Sequence, residues 1–350
     1  MSILQYYNKE TKTLTLPYNY NDKLKNIPEE TENIIFDKNY NSFSDFNQPV
    51  DNLPKNLTHL TLSYNFNQYV DNLPTKLTHL TFGTCFNQSV DNLPESLTHL
   101  TFDSSFNQPV DNLPKSLIYL SFGFKFNQPV DKLPETLTQL SFCYDFNKPV
   151  DNLPKTLTHL TFGSCFNKPV NNLPENLTHL TFGYKFNQSI INLPKKLTHL
   201  TFGYDFNQPV DNLPKTLTHL KLRRIKHPID NLPNKLTHLT FEHYEQPINN
   251  LPDSLIYLKI GSCNNNILLP KNVKELYLTC DNILLNNLPH HIEKIFIEFS
   301  YKEDNNKILN NLPPTLKEIV IDVEEDAKYI KKPFGTILTI TGNNRKIALC

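Results

Sequence analysis

Histidine returns at a fixed interval through much of the chain, at His59, His79, His99, His159, His179, His199, His219 and His238. Imidazole is the commonest metal ligand and titrates near neutrality, so the column raises two chemistries, zinc binding and proton transfer. A zinc site needs four ligands converging at about 2.0 to 2.3 Å. Equivalent positions on adjacent parallel strands would instead hold the rings about 4.8 Å apart, all pointing the same way. The spacing predicts a solvated stack of imidazoles and no metal site.

Asp51, Asp71, Asp91, Asp111, Asp131, Asp151, Asp211 and Asp230 form a second column. Carboxylates so repeated suggest calcium binding, or the acid pair of a glycosidase, and hence a β-helix-like carbohydrate-active protein. That alternative predicts unlike carboxylates and basic groups clustered in one groove. Against it, Asn171 and Ile191 occupy the same column, and Asp ahead of Asn-Leu-Pro is placed to bond its own backbone in a turn. A third column, Asn47 through Asn207, follows phenylalanine at every step and is placed to satisfy backbone groups of the next turn. Glycine accounts for only 8 of 350 residues, which leaves no phosphate-cradling loop. A catalytic centre needs unlike residues converging, whereas a repeat supplies like ones. The chain reads as non-enzymatic, with no catalytic residue, no metal and no cofactor.

These columns exist because the chain repeats. Phe46, Phe66, Phe86, Phe106, Phe126, Phe146, Phe166, Phe186 and Phe206 open the same phrase, and such self-similarity marks a solenoid. Within it, Leu57-Thr58-His59-Leu60-Thr61-Leu62-Ser63-Tyr64-Asn65 follows the L-x-x-L-x-L-x-x-N pattern of leucine-rich repeats. Leu60 and Leu62 alternate with His59, Thr61 and Ser63, so period two predicts a short strand with the leucines inward and the polar residues outward. The other half of each unit contains pairs such as Pro149 and Pro154, which exclude a regular helix. It is expected to return in an extended, proline-rich path with turns at Asp-Asn. Phe146, Val150, Leu153 and Leu157 then join Leu160 and Phe162 in the core. The fold class expected is mainly β, a leucine-rich-repeat-like solenoid with one short parallel strand per repeat.

Residues 1–45 read as an N-terminal cap with a degenerate first repeat, carrying strand-like Thr13-Leu14-Thr15-Leu16 and Ile34-Ile35-Phe36. Regular repeats fill residues 46–220 and divergent ones residues 221–321, where the Phe-Asn opening disappears but the strand half survives. Residues 322–350 are expected to cap the C-terminal end with a last strand or hairpin. The net charge of -1 supplies no drive toward nucleic acid or anionic membrane, and both partners are disfavoured. The N-terminus lacks a basic start and an apolar core, so a cytoplasmic, monomeric protein is expected. The 6 cysteines are scattered and expected to be free thiols. Cys85 and Cys165 would stand roughly 19 Å apart at strand spacing, and only Cys263 and Cys280 come close enough to consider pairing.

The phrase Phe-Asn-x-Pro-Val/Ile, then Asn-Leu-Pro and Leu-Thr-His-Leu, resembles the FNIP repeat family, a relative of the leucine-rich repeats. The likeness is strong over residues 46–220 and extends through the Leu-Pro half to about Ile321. Where the family name has Ile, this chain has Gln48, Gln68, Gln88, Gln108, Gln128, Lys148, Lys168, Gln188 and Gln208, which suggests an exposed turn. The resemblance implies an adaptor that binds other proteins. Some members carry an F-box ahead of the repeats, which implies a substrate-recognition subunit of a ubiquitin ligase. With repeat spacing beginning at Ile27, that role would need a separate F-box partner.

The leading expectation is a scaffold for protein–protein interaction that uses a concave strand face. A column of identical side chains fixes orientation but not register, so specificity is expected where the repeat breaks on that face. Those positions are Tyr119 and Gln139, which interrupt the histidine column, and Lys221, Arg223, Glu242 and Lys259 in the divergent turns. Arg and Tyr often carry interface energy. Lys221, Arg223 and Lys259 point to a protein partner with an acidic surface.

Overall fold

The structure is a computed structural model and describes residues 3–36, 44–244, 250–263, 269–279, 288–298, 312–341 and 347–349. The chain divides into two compact units, residues 1–186 and 187–350. In the first unit, β1 (Tyr7–Asn8) pairs antiparallel with β2 (Thr13–Leu16) and covers its outer edge. From β2 onward the strands are parallel: β3 (Asn33–Phe36), β4 (His59–Thr61), β5 (His79–Thr81), β6 (His99–Thr101), β7 (Tyr119–Ser121), β8 (Gln139–Ser141), β9 (His159–Thr161) and β10 (His179–Thr181). The degenerate first repeat is in register with the rest, Leu14 opposite Ile34 and Ile34 opposite Leu60.

The second unit holds β11 (His199–Thr201), β12 (His219–Ile225), β13 (His238–Tyr244), β14 (Tyr257–Cys263), β15 (Glu275–Thr279), β16 (Lys294–Glu298), β17 (Glu318–Ile321) and β18 (Ile337–Ile340), again parallel in sequence order. A last strand, β19 (Ile347–Leu349), runs antiparallel to β18. No helix among the described residues is long and apolar enough to cross a membrane.

Each turn buries the same set of side chains. In one repeat Phe146, Val150, Leu153, Leu157, Leu160 and Phe162 are at most 6% exposed, which makes them the continuous apolar filling that stacked turns require. The phenylalanines form two interleaved ladders. Phe126 and Phe146 lie 6.1 Å apart between turns, while Phe142 stacks on Phe146 at 3.7 Å. Between strands the chain is extended with tight turns, one of them closed by Leu157 N–H donating to the Pro154 carbonyl at 3.2 Å.

Ser63 departs from the outward position expected of it. It is buried, and its Oγ donates to the Phe46 carbonyl at 2.5 Å. The strand ends at Thr61, so the period-two alternation stops before residue 63 and the chain turns inward. In the equivalent place of the next turns, side chains alternate with glycine, Ser63 then Gly83, Asp103 then Gly123, Cys143 then Gly163, before Gly183 and Gly203 follow in succession. A Cβ on Gly83, Gly123 or Gly163 would lie 1.7, 2.1 or 1.3 Å from the carbonyl oxygen of the preceding turn. Glycine is what permits that approach.

Candidate functional site

The strand face of the first unit presents two outward residues per strand, and none of its strands contains a charged residue. Its imidazoles stack, with 4.2 Å between the ring centroids of His59 and His79, of His79 and His99, and of His159 and His179. Each accepts a fixed orientation from the preceding threonine. Thr78 Oγ1 donates to the Thr58 carbonyl at 3.1 Å and lies 2.9 Å from His79 Nδ1. Its proton is committed to the carbonyl, so Nδ1–H donates to the hydroxyl and Nε2 carries the lone pair. Burial, then the neighbouring His59 and His99, lower the pKa of His79. Among the described residues no three His, Cys, Asp or Glu side chains gather as a metal would require.

The asparagine column is a ladder between turns. The N–H of Asn107 donates to Asn87 Oδ1 at 2.9 Å, and that of Asn127 to Asn107 Oδ1 at 2.9 Å. The aspartates do something other than the local turn bonding expected of them. Asn152 Nδ2 donates to Asp131 Oδ1 and Asn172 Nδ2 to Asp151 Oδ1, both at 3.1 Å, so each carboxylate grips the following turn. A groove of about 710 Å³ is lined by Asp131, Glu135, Asp151, Lys155 and Glu175 among others. This is the clustering that the carbohydrate-active alternative predicts. Asp131, Asp151 and Glu135 are nonetheless engaged in bonds between turns, Glu135 Oε2 accepting from Lys155 N–H at 3.3 Å.

Of the expected interface residues, Tyr119 and Gln139 are neighbours on β7 and β8. Tyr119 continues the ring stack, 5.8 Å from His99, while Gln139 is exposed. Lys221, Arg223, Glu242 and Lys259 all belong to the second unit. There β12, β13 and β14 lengthen, and the register steps from Leu222↔Phe241 to Arg224↔His243, leaving Arg223 and Glu242 out of the ladder. Glu242 lies 3.8 Å from Lys221 and 3.6 Å from Arg223. Lys259 sits over the Tyr277 ring at 5.4 Å. Exposed Arg224 is 5.9 Å from the Tyr204 ring.

The reading of residue types missed the aromatic residues beyond Lys259. Tyr277 and Phe296 stand where the regular turns have threonine, and their rings stack at 3.6 Å on the outer face of the sheet. Burial, then Tyr257, Glu275, Asp322 and Glu318, push the Tyr277 phenol up to about 12. The signal was available in the strand register. Extending the threonine column through the divergent turns reaches both rings. Cys85, Cys143 and Cys165 are free thiols. The Cys263 side chain and Cys280 lie outside the described residues.

Comparison with known proteins places this geometry. A family model described as the FNIP Repeat matches residues 46–85, 86–125, 126–165, 166–205, 186–224 and 226–263. The solved structure of CroV588, described as a novel circular LRR protein, is 32% identical with a TM-score of 0.69 over 95% of this chain. This chain spans 63% of the length of that protein. YopM from Yersinia enterocolitica aligns over 91% of this chain and 80% of its own, at 20% identity and a TM-score of 0.52, a likeness of fold. No curated protein sequence matches the chain significantly.

Proposed function

Because the chain belongs to the FNIP repeat family, a leucine-rich-repeat-like solenoid, we propose that it is a non-enzymatic scaffold that binds a protein partner with an acidic surface. The observation that supports this reading is where charge enters the strand face. The strands of the first unit carry none, whereas β12 brings Lys221, Arg223 and Arg224 outward together. Only Glu242 among the residues on β13 opposes them, through long ion pairs of 3.6 and 3.8 Å with two of the three. Exposed pairs of that kind contribute little, so the excess positive charge remains free to steer an acidic surface toward the face.

The test uses the purified chain as bait in an extract of its native cells, beside the triple variant Lys221→Thr, Arg223→Gly and Lys259→Thr. These are the residues of the regular repeat. The variant is expected to melt like the parent and to lose the captured partner. Equal capture by both chains would overturn the reading.

A further inference from the structure

Four strands of the second unit place a small grid of side chains on their outer face. Buried Ile295 and Ile297 leave Lys294, Phe296 and Glu298 outward on β16. Register then sets Tyr277 of β15 beside Phe296, and Val320 of β17 on the other side of Phe296. Asp322 follows directly after β17. Between the central column and the carboxylates lies a recess of about 90 Å³, lined by Lys259, Tyr277, Phe296, Glu298, Val320 and Asp322 among others. It has room for one side chain.

The chemistry of its walls selects the occupant. The stacked Tyr277 and Phe296 rings already draw cations, Lys259 at 5.4 Å and Lys294 at 4.7 Å, as their electron-rich faces should. Lys294 is held by Glu318 at 2.7 Å. Asp322 Oδ1 accepts from Thr341 Oγ1 at 2.6 Å, which leaves its second oxygen. Among the described residues the exposed Glu298 carboxylate makes no hydrogen bond or ion pair. An apolar, aromatic floor with two carboxylates on one rim fits a planar cation that both stacks and donates in pairs. Guanidinium does both, and ammonium only the second.

We propose that this recess receives an arginine side chain of the protein partner, so that the strand face of the second unit reads opposite charges at β12 and at β15–β17. The proposal rests on the scaffold reading above. It sets the partner's register, since one arginine in one recess fixes what a column of identical threonines leaves free.

The full chain is titrated with fluorescein-labelled tetra-arginine, tetra-citrulline and tetra-glutamate peptides, and anisotropy is read. The arginine peptide is expected to bind about tenfold more tightly than the uncharged citrulline isostere. Glu298→Gln with Asp322→Asn should lose about that factor, and Phe296→Thr should lose binding while keeping the threonine of the regular column. Asp131→Asn with Glu135→Gln removes the same charge from the first unit and should change nothing. Equal losses from both double variants would mean diffuse attraction only and would overturn the proposal, as would tighter binding of the glutamate peptide. Native capture separates the two readings. A partner lost with the Lys221, Arg223 and Lys259 changes but kept by Glu298→Gln with Asp322→Asn sinks the recess and spares the scaffold. A partner kept by both sinks the scaffold reading first.

Discussion

Thr98 Oγ1 lies 2.9 Å from His99 Nδ1 and donates its own proton to the Thr78 carbonyl at 3.2 Å. The imidazole is thereby oriented by a backbone group of the preceding turn, and the histidine column and the stack of turns are mechanically one thing. Protonating the rings places like charges face to face at the 4.2 Å separation of His79 and His99.

That coupling makes stability depend on pH. Burial and its two neighbours hold the pKa of His79 below the ordinary 6.5, so the unfolded chain binds the proton more readily. The contribution is complete above the unfolded value and is lost as pH falls through the folded one. Thermal melts should therefore shift downward between pH 7.5 and pH 5.5. His79→Gln, the residue that stands at position 139 of the same column, should make the shift smaller; an unchanged pH slope would show that the stack does not feel its own charge.

The inward and outward faces differ in what they tolerate. Phe146→Ala or Leu160→Ala removes a side chain at most 1% exposed and is expected to cost about 2 to 5 kcal/mol. His159→Ala touches only the half-buried outer face and should cost less than about 1 kcal/mol. Urea unfolding of the three variants measures the difference.

Asn107 tests the ladder on the return path. Asn107→Ala leaves the N–H of Asn127 without its acceptor, at a cost of about 1 to 2 kcal/mol. Asn107→Asp keeps an acceptor oxygen in the same place and should recover most of the loss in the same unfolding assay. Failure of the aspartate to rescue would assign the cost to something other than this bond.

The core was legible because a strict repeat states its in–out pattern many times over, so Phe146, Val150, Leu153, Leu157, Leu160 and Phe162 could be placed from spacing alone. Ser63 was not. Alternation carries no information about where a strand stops, and this one stops two residues earlier. The aspartates were misplaced for a related reason. Turn chemistry is local, whereas Asp131 spends its oxygen on Asn152 in the next turn, a relation that residue preferences do not encode. Tyr277 and Phe296 were passed over because each sits between inward leucines or isoleucines. A nearly continuous apolar run hides which members face out.

The alternation of side chain and glycine along Ser63, Gly83, Asp103, Gly123, Cys143 and Gly163 couples these turns of the first unit in twos, and it ends where Gly183 follows Gly163. The family matches at 46–85, 86–125 and 126–165 each enclose one such couple. Within residues 46–165, removing one whole couple keeps a glycine above each side chain, whereas removing a single turn does not. Excising residues 66–85 sets the Asp103 turn directly on Ser63 and breaks the phase. Excising residues 66–105 removes twice as much and sets Gly123 there instead. The larger deletion is the one expected to melt at the higher temperature, an inversion of the usual rule that shorter solenoids are weaker.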